Sequence, residues 1–145
     1  VAKIIKWNAD KLIKRVPQIL SNYGVLISPL LQDAIKANVY TWPARTLQGG
    51  DIVTRRRNGE VVTSPRNIVD TGALLASQST PQVSADTLRI IWSAPYSGDV
   101  LRGNYIVGRR NGSYIAPPRD WISPVVAAQP PIQFFAREWR KLAIK

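Results

Sequence analysis

Cysteine and histidine are both missing from the 145 residues. Without cysteine there are no disulfides and no thiolate chemistry, and the chain suits either redox compartment. Without histidine it lacks the usual neutral-pH base and the commonest metal ligand. Carboxylates are scarce: Asp10, Asp33, Asp51, Glu60, Asp70, Asp86, Asp99, Asp120 and Glu138 make up all nine. No two of them are close enough in sequence to suggest a paired-carboxylate site, although tertiary pairing of the glycosidase kind remains open. Gly-rich phosphate loops and nucleophile motifs are lacking too. These absences argue against an enzyme, a bound cofactor and a metal site. No apolar run approaches the ~18 residues of a membrane span. Lys3, Lys6, Asp10, Lys11, Lys14 and Arg15 interrupt the start too often for a secretory signal. A soluble chain with no membrane partner is expected.

What the chain has in quantity is positive charge. Twenty Lys and Arg give a net charge of +11, and most of these cations are arginine. Arginine's fork of donors matches carboxylate and phosphate oxygens, so acidic proteins or nucleic acid are the partners such a balance favours. The charge is spread along the chain, with no single basic tail.

A chain of this length suits one domain, 1–145. Ala2 to Trp7 reads as a short strand, and Asn8 as an N-cap with Asp10 near the positive end of the helix dipole. From Ala9, the apolar positions Leu12, Val16, Ile19, Tyr23, Leu26, Leu30 and Ala34 recur at spacings of three and four. Ile13, Leu20, Ile27, Leu31 and Ile35 widen the stripe. This spacing predicts a long helix to about Val39, with Pro17 and Pro29 inside it. Either it bends there, which is the favoured reading, or Gly24 ends one helix and Ser28-Pro29 starts another.

In residues 41–66, Ile52 to Arg57 and Glu60 to Thr63 flank Asn58-Gly59, a two-residue hairpin signal that sets Arg57 opposite Glu60 and Arg56 opposite Val61. Further on, Gln78 to Val83 and Thr87 to Ser93 read as strands joined across Ser84-Ala85-Asp86. Leu88, Ile90 and Trp92 lie on one face, Arg89 and Ile91 on the other, with both sides partly covered. Tyr105 to Gly108 and Ser113 to Ala116 flank a second Asn-Gly turn at Asn111-Gly112. Between Pro117-Pro118 and Pro130-Pro131 the chain cannot be helical throughout, and Trp121 is the expected anchor. Pro131 then opens a final helix whose Ile132, Phe135, Ala136, Trp139 and Leu142 form one face.

The stretch Asn67 to Gln78 brings these parts together. Asp70 or Thr71 can cap a short helix, Gly72 allows a tight turn, and Ala73 to Ala76 propagate the helix. Val69, Asp70, Thr71, Gly72, Ala73 and Leu74 match the Val-Asp-Thr-Gly-Ala-Leu signature of the neck and tail-completion (head-tail joining) proteins of long-tailed bacteriophages. A Tyr-containing turn ending at Gly103 and the Pro118 to Pro124 segment before the last helix fit the same order, so nearly the whole chain resembles that family. Residues 41–66 stand as a hairpin insertion relative to it.

The resemblance implies an α+β fold: a twisted, mainly antiparallel sheet packed by the long N-terminal helix and the C-terminal helix, with protruding β-hairpins. It implies a closed cyclic homo-oligomer, hexameric or dodecameric, in the virion neck, assembled in the bacterial host cytoplasm. Such a ring joins the DNA-filled head on its portal or adaptor side to the tail proteins and lets viral DNA pass. A tail terminator ring capping the tail tube is the alternative within the family. A basic DNA-binding module is the alternative of another class. Arg55, Arg56, Arg57, Arg109 and Arg110, beside the two Asn-Gly turns, are the candidate contacts to neighbouring subunits or to DNA.

Overall fold

The computed structural model describes residues 10, 13–40, 54–56, 58–63, 65–103, 106–107 and 114–143. The expected strand at Ala2 to Trp7 and cap at Asn8 lie outside them. Helices and antiparallel strand pairs mix in α+β fashion. In order, they are α1 (Val16–Lys36), β1 (Thr54–Arg55), β2 (Val61–Val62), α2 (Ala73–Ala76), β3 (Gln82–Val83) and β4 (Leu88–Arg89). They continue with α3 (Ser97–Arg102), β5 (Ile106–Val107), β6 (Tyr114–Ile115), α4 (Ser123–Ala128) and α5 (Pro131–Ala143).

Helix α1 is the axis of the fold. Ile19, Tyr23, Ile27, Leu31 and Ile35, four residues apart, are buried along it, with Leu26, Leu30 and Ala34 flanking the core. Pro17 proves to be in the first turn, where its missing N–H removes no intrahelical bond. Only Pro29 is internal. It lies on the exposed side, as does Val25, whose carbonyl loses its usual helical partner there. The helix stops at Lys36, short of Val39, because Ala37 turns to extended geometry.

Gly24 does not end the helix. It is buried in the middle, and an added Cβ would lie 2.7 Å from Pro81 Cβ and 3.0 Å from Leu88 Cδ1. The absent side chain lets the β3–β4 ribbon approach the helix backbone. Tyr23, Ile27, Leu31 and Ile35 meet Leu74 of α2, Ala94, Trp121 and Val125 of α4 in one core cluster. The Tyr23 hydroxyl donates to the Gln129 carbonyl at 2.7 Å, tying α1 to the end of α4. Burial raises the pKa of that phenol.

Among the described residues the strands pair two by two, as β1–β2, β3–β4 and β5–β6, without merging into one sheet. In β3–β4, Gln82 faces Arg89 and Val83 faces Leu88. Beyond it the ladder continues as a Gln78–Trp92 bridge one residue out of step. The Ser79 hydroxyl accepts the Ile91 N–H at 2.9 Å across that offset. Leu88, Ile90 and Trp92 pack against the core. Arg89 and Ile91 are exposed, so this ribbon is covered on one face and not on both.

The first ribbon departs from the expected register by one residue. Arg55 faces Val61 and Thr54 faces Val62, which sets Arg56 opposite Glu60. The Arg56 N–H donates to the Glu60 carbonyl at 2.8 Å, and the Gly59 N–H to the Arg56 carbonyl at 3.0 Å. Gly59 at φ 88° supplies the left-handed residue of a three-residue hairpin loop, so Asn58-Gly59 is not a two-residue turn. The second Asn-Gly turn lies outside the described residues, although β5 and β6 pair antiparallel beside it.

Pro131 is the first residue of α5. Its docking differs from expectation. Phe134 reaches the core, 5.2 Å from the Tyr23 ring centroid, and Arg137 sits 5.1 Å above the Phe134 ring. Ile132 is 81% exposed, while Phe135 and Trp139 stack on each other at 5.8 Å. The Leu142 side chain lies outside the described ones.

Candidate assembly interface

Asn67 is the junction on which the signature segment hangs. Its N–H donates to Asn38 Oδ1 at 3.0 Å, just past the end of α1. Next to it, the Ile68 N–H donates to the Ile35 carbonyl at 3.3 Å, and Tyr40 and Arg66 exchange two backbone bonds at 2.9 and 3.0 Å. Of these acceptors, the Ile35 carbonyl is in the last turn of α1, which the helix leaves without an internal partner. The Asn67 side chain, in turn, accepts the Val69 N–H at 3.2 Å. Gly72, at φ 82°, starts α2. The Thr71 hydroxyl accepts the Ala73 N–H at 3.4 Å, a long bond. Leu74 points into the core and Val69 packs against it, while Asp70 and Thr71 are exposed.

The β1–β2 ribbon is fastened to this segment by polar groups. Arg56 donates from one guanidinium nitrogen to the Asn67 carbonyl at 2.9 Å and to Asn67 Oδ1 at 2.6 Å. Its other terminal nitrogen meets Glu60 Oε2 at 2.8 Å, and the Arg56 side chain is only 9% exposed. Asn58 Nδ2 donates to the Asp70 carbonyl at 2.9 Å. The Arg56 fork therefore serves inside the subunit. Arg57, Arg109 and Arg110 lie outside the described residues, as does the side chain of Arg55.

Sequence reasoning missed several of these roles. Asn38 and Asn67 gave no periodic or motif signal, since their partnership spans 29 residues. Arg66 and Arg119 are buried at 5% and 1% exposure, against the usual placement of arginine. Asp120 did leave a signal, an acidic residue just ahead of Ser123-Pro124. Its Oδ1 accepts the N–H groups of Ile122 and Ser123, both at 2.9 Å, at the start of α4. Burial opposes its ionisation, but bonds from Ser123 and Ile122 outweigh that and lower its pKa. Its charge acts on Tyr40, whose phenol is raised by burial first and by Asp120 second. The Tyr40 hydroxyl donates to the Ala34 carbonyl at 2.7 Å.

Apolar side chains remain on the outside: Val61 at 53%, Ile91 at 42%, Tyr96 at 42%, Ile115 at 64% and Ile132 at 81% exposure. Every ribbon contributes one of them. Among the described residues no group of three or more acidic side chains could hold a metal, and no helix is long and apolar enough to cross a membrane. No known protein family, curated protein or solved structure matches the chain.

Proposed function

We propose that the chain is a structural subunit of a tailed-bacteriophage virion, closing with copies of itself into a ring in the neck. The ring joins the portal or adaptor side of the head to the tail and lets DNA through. The observation that carries the reading is the set of three separate two-stranded ribbons, each with an exposed branched aliphatic residue. An isolated two-stranded ribbon is marginal in water. Pairing between subunits would join these ribbons into the twisted antiparallel sheet that the Val69 to Leu74 resemblance implies, and would cover Val61, Ile91 and Ile115. Work of this kind is mechanical joining, without turnover, cofactor or metal.

The runner-up is a basic DNA-binding module, favoured by the net charge of +11. Arg56 weakens it, because a guanidinium already bonded to Asn67 and Glu60 has little left for a phosphate. Native mass and class-averaged images of the purified protein, with and without DNA at two salt concentrations, separate the two. A symmetric ring without DNA is expected. A monomer whose salt-sensitive DNA binding follows Arg55, Arg57, Arg109 and Arg110 would replace the ring by the second reading.

A further inference from the structure

We propose that Asn58-Gly59, at the tip of the β1–β2 ribbon, is a site of spontaneous deamidation whose rate is set by the bonds that fasten the ribbon. Three groups must move for the reaction, and each is held. Asn58 Nδ2, the leaving nitrogen, donates to the Asp70 carbonyl at 2.9 Å. Asn58 Oδ1 accepts the Glu60 N–H at 3.0 Å. The Gly59 nitrogen, the attacking atom, donates its hydrogen to the Arg56 carbonyl at 3.0 Å, and Arg56 is itself tied to Asn67. Both residues of the pair are exposed, and a Cβ built on Gly59 would meet nothing within 4 Å. Glycine is the least hindered nucleophile the backbone offers, so hydrogen bonding, and not bulk, restrains the reaction.

Opening the ribbon frees all three groups together. The Gly59 nitrogen then bonds to Asn58 Cγ, the Cγ–Nδ2 bond breaks, and the Gly59 proton leaves with Nδ2 as ammonia. Water opens the resulting succinimide at either carbonyl and leaves aspartate or isoaspartate at position 58. Water is the only co-reactant, and nothing is oxidised or reduced. Neither product can refasten the ribbon as before. A carboxylate cannot donate to the Asp70 carbonyl, and it adds negative charge beside Glu60, the partner of Arg56. Isoaspartate lengthens the backbone inside a loop whose register rests on the bonds among Arg56, Gly59 and Glu60. Deamidation therefore acts as a one-way release of this ribbon. The chemistry is intrinsic to one chain and needs neither ring nor DNA.

The test incubates three samples in mildly alkaline buffer: the full chain, the same chain in urea, and a synthetic peptide spanning residues 54–63. Peptide mapping by mass spectrometry follows the conversion of amide to acid at Asn58, resolved from that at Asn111. Conversion proceeds through the open ribbon, so the folded chain should react at least about tenfold more slowly than the peptide or the chain in urea. Arg56→Ala should raise the folded rate at least about fivefold. Asn58→Asp installs the product's carboxylate, and it should speed amide exchange at Arg56 and Gly59 while the β3–β4 amides keep the parent's rates. Native mass of each sample reads ring formation independently. A folded chain that converts as fast as the peptide would overturn the proposal. So would a rate unmoved by a folded Arg56→Ala, or Arg56 and Gly59 amides as protected in Asn58→Asp as in the parent. The comparison with the peptide and the Asn58→Asp exchange decide the matter even where Arg56→Ala does not fold.

Discussion

Ribbons β1–β2 and β3–β4 are equally short, yet they are attached to the fold by opposite means. The second is held by shape: Leu88, Ile90 and Trp92 lie on the core, Pro81 fills the gap over Gly24, and Trp92 meets Trp121 edge to face at 5.5 Å. The first is held by polarity, through Arg56, Asn58 and Asn67. Packing against a close-fitting surface resists salt and tolerates little change in volume. Hydrogen bonds with a partly solvated ion pair beside them tolerate volume but respond to salt. One ribbon is thus a fixed wall, and the other a strap.

The comparison breaks hardest at Trp121, which is 1% exposed. Trp121→Ala removes the platform behind Trp92 and should cost about 3–5 kcal/mol in denaturant unfolding. Amide exchange should rise across Gln78 to Trp92 more than at Arg56 and Gly59. Next comes Gly24→Ala. In most helices that change gains about 1 kcal/mol, but here the new methyl meets Pro81 Cβ at 2.7 Å. The sign should reverse to a loss of about 1–3 kcal/mol, and a stabilised variant would show that the wall can yield.

Arg56→Ala tests the strap. Glu60 is half exposed, so the ion pair itself contributes little. Loss of the two bonds to Asn67 should cost about 1–2 kcal/mol. The change should appear mainly as faster exchange at Arg56 and Gly59, with the β3–β4 amides spared. Added sodium chloride should remove only the small share of the difference that comes from the Arg56–Glu60 pair.

The smallest effect concerns pH. The Asp120 carboxyl titrates below its ordinary range in the folded chain. Its stabilising contribution is therefore complete above the unfolded aspartate pKa and is lost as pH falls through the lower folded value. Asp120→Asn keeps an oxygen at the start of α4 while removing the charge. It should lower stability slightly at neutral pH, where the charge contributes fully, and flatten the acid limb of a stability-versus-pH curve so that variant and parent converge in acid, as checked by urea unfolding from acid to neutral pH.

The same contrast explains what could be read in the chain beforehand. Periodicity found α1, and alternation grouped Leu88, Ile90 and Trp92 on one face, because both are patterns of apolar burial, but alternation did not tell that this face alone is covered. Proline chemistry placed the start of α5 at Pro131. The strap escaped notice because its anchor, Asn67, is defined by partners far away in sequence. Arg56 likewise reads as a surface charge until its register is known, and a one-residue shift decides which groups it can reach. On α5 the expected face is half-buried at Phe135, Ala136 and Trp139, and the departure is at Ile132, which is exposed. Phe134, beside that face, adds the contact with the core cluster. Of the candidate assembly surface, composition suggested the charge, and only the packing revealed which apolar side chains, Val61, Ile91 and Ile115 among them, stay exposed.

Where the chain departs for β5 and comes back from β6, it is pinched. A Cβ on Gly103 would run into the Pro118 backbone nitrogen, and the Arg119 N–H donates to the Val100 carbonyl at 3.1 Å. Departure and return share one clasp, fixed by glycine on one strand and proline on the other. With both ends held, the turn between β5 and β6 is where a change in length should disturb the body behind the clasp least. That makes this the natural port for grafting an epitope or a fluorophore.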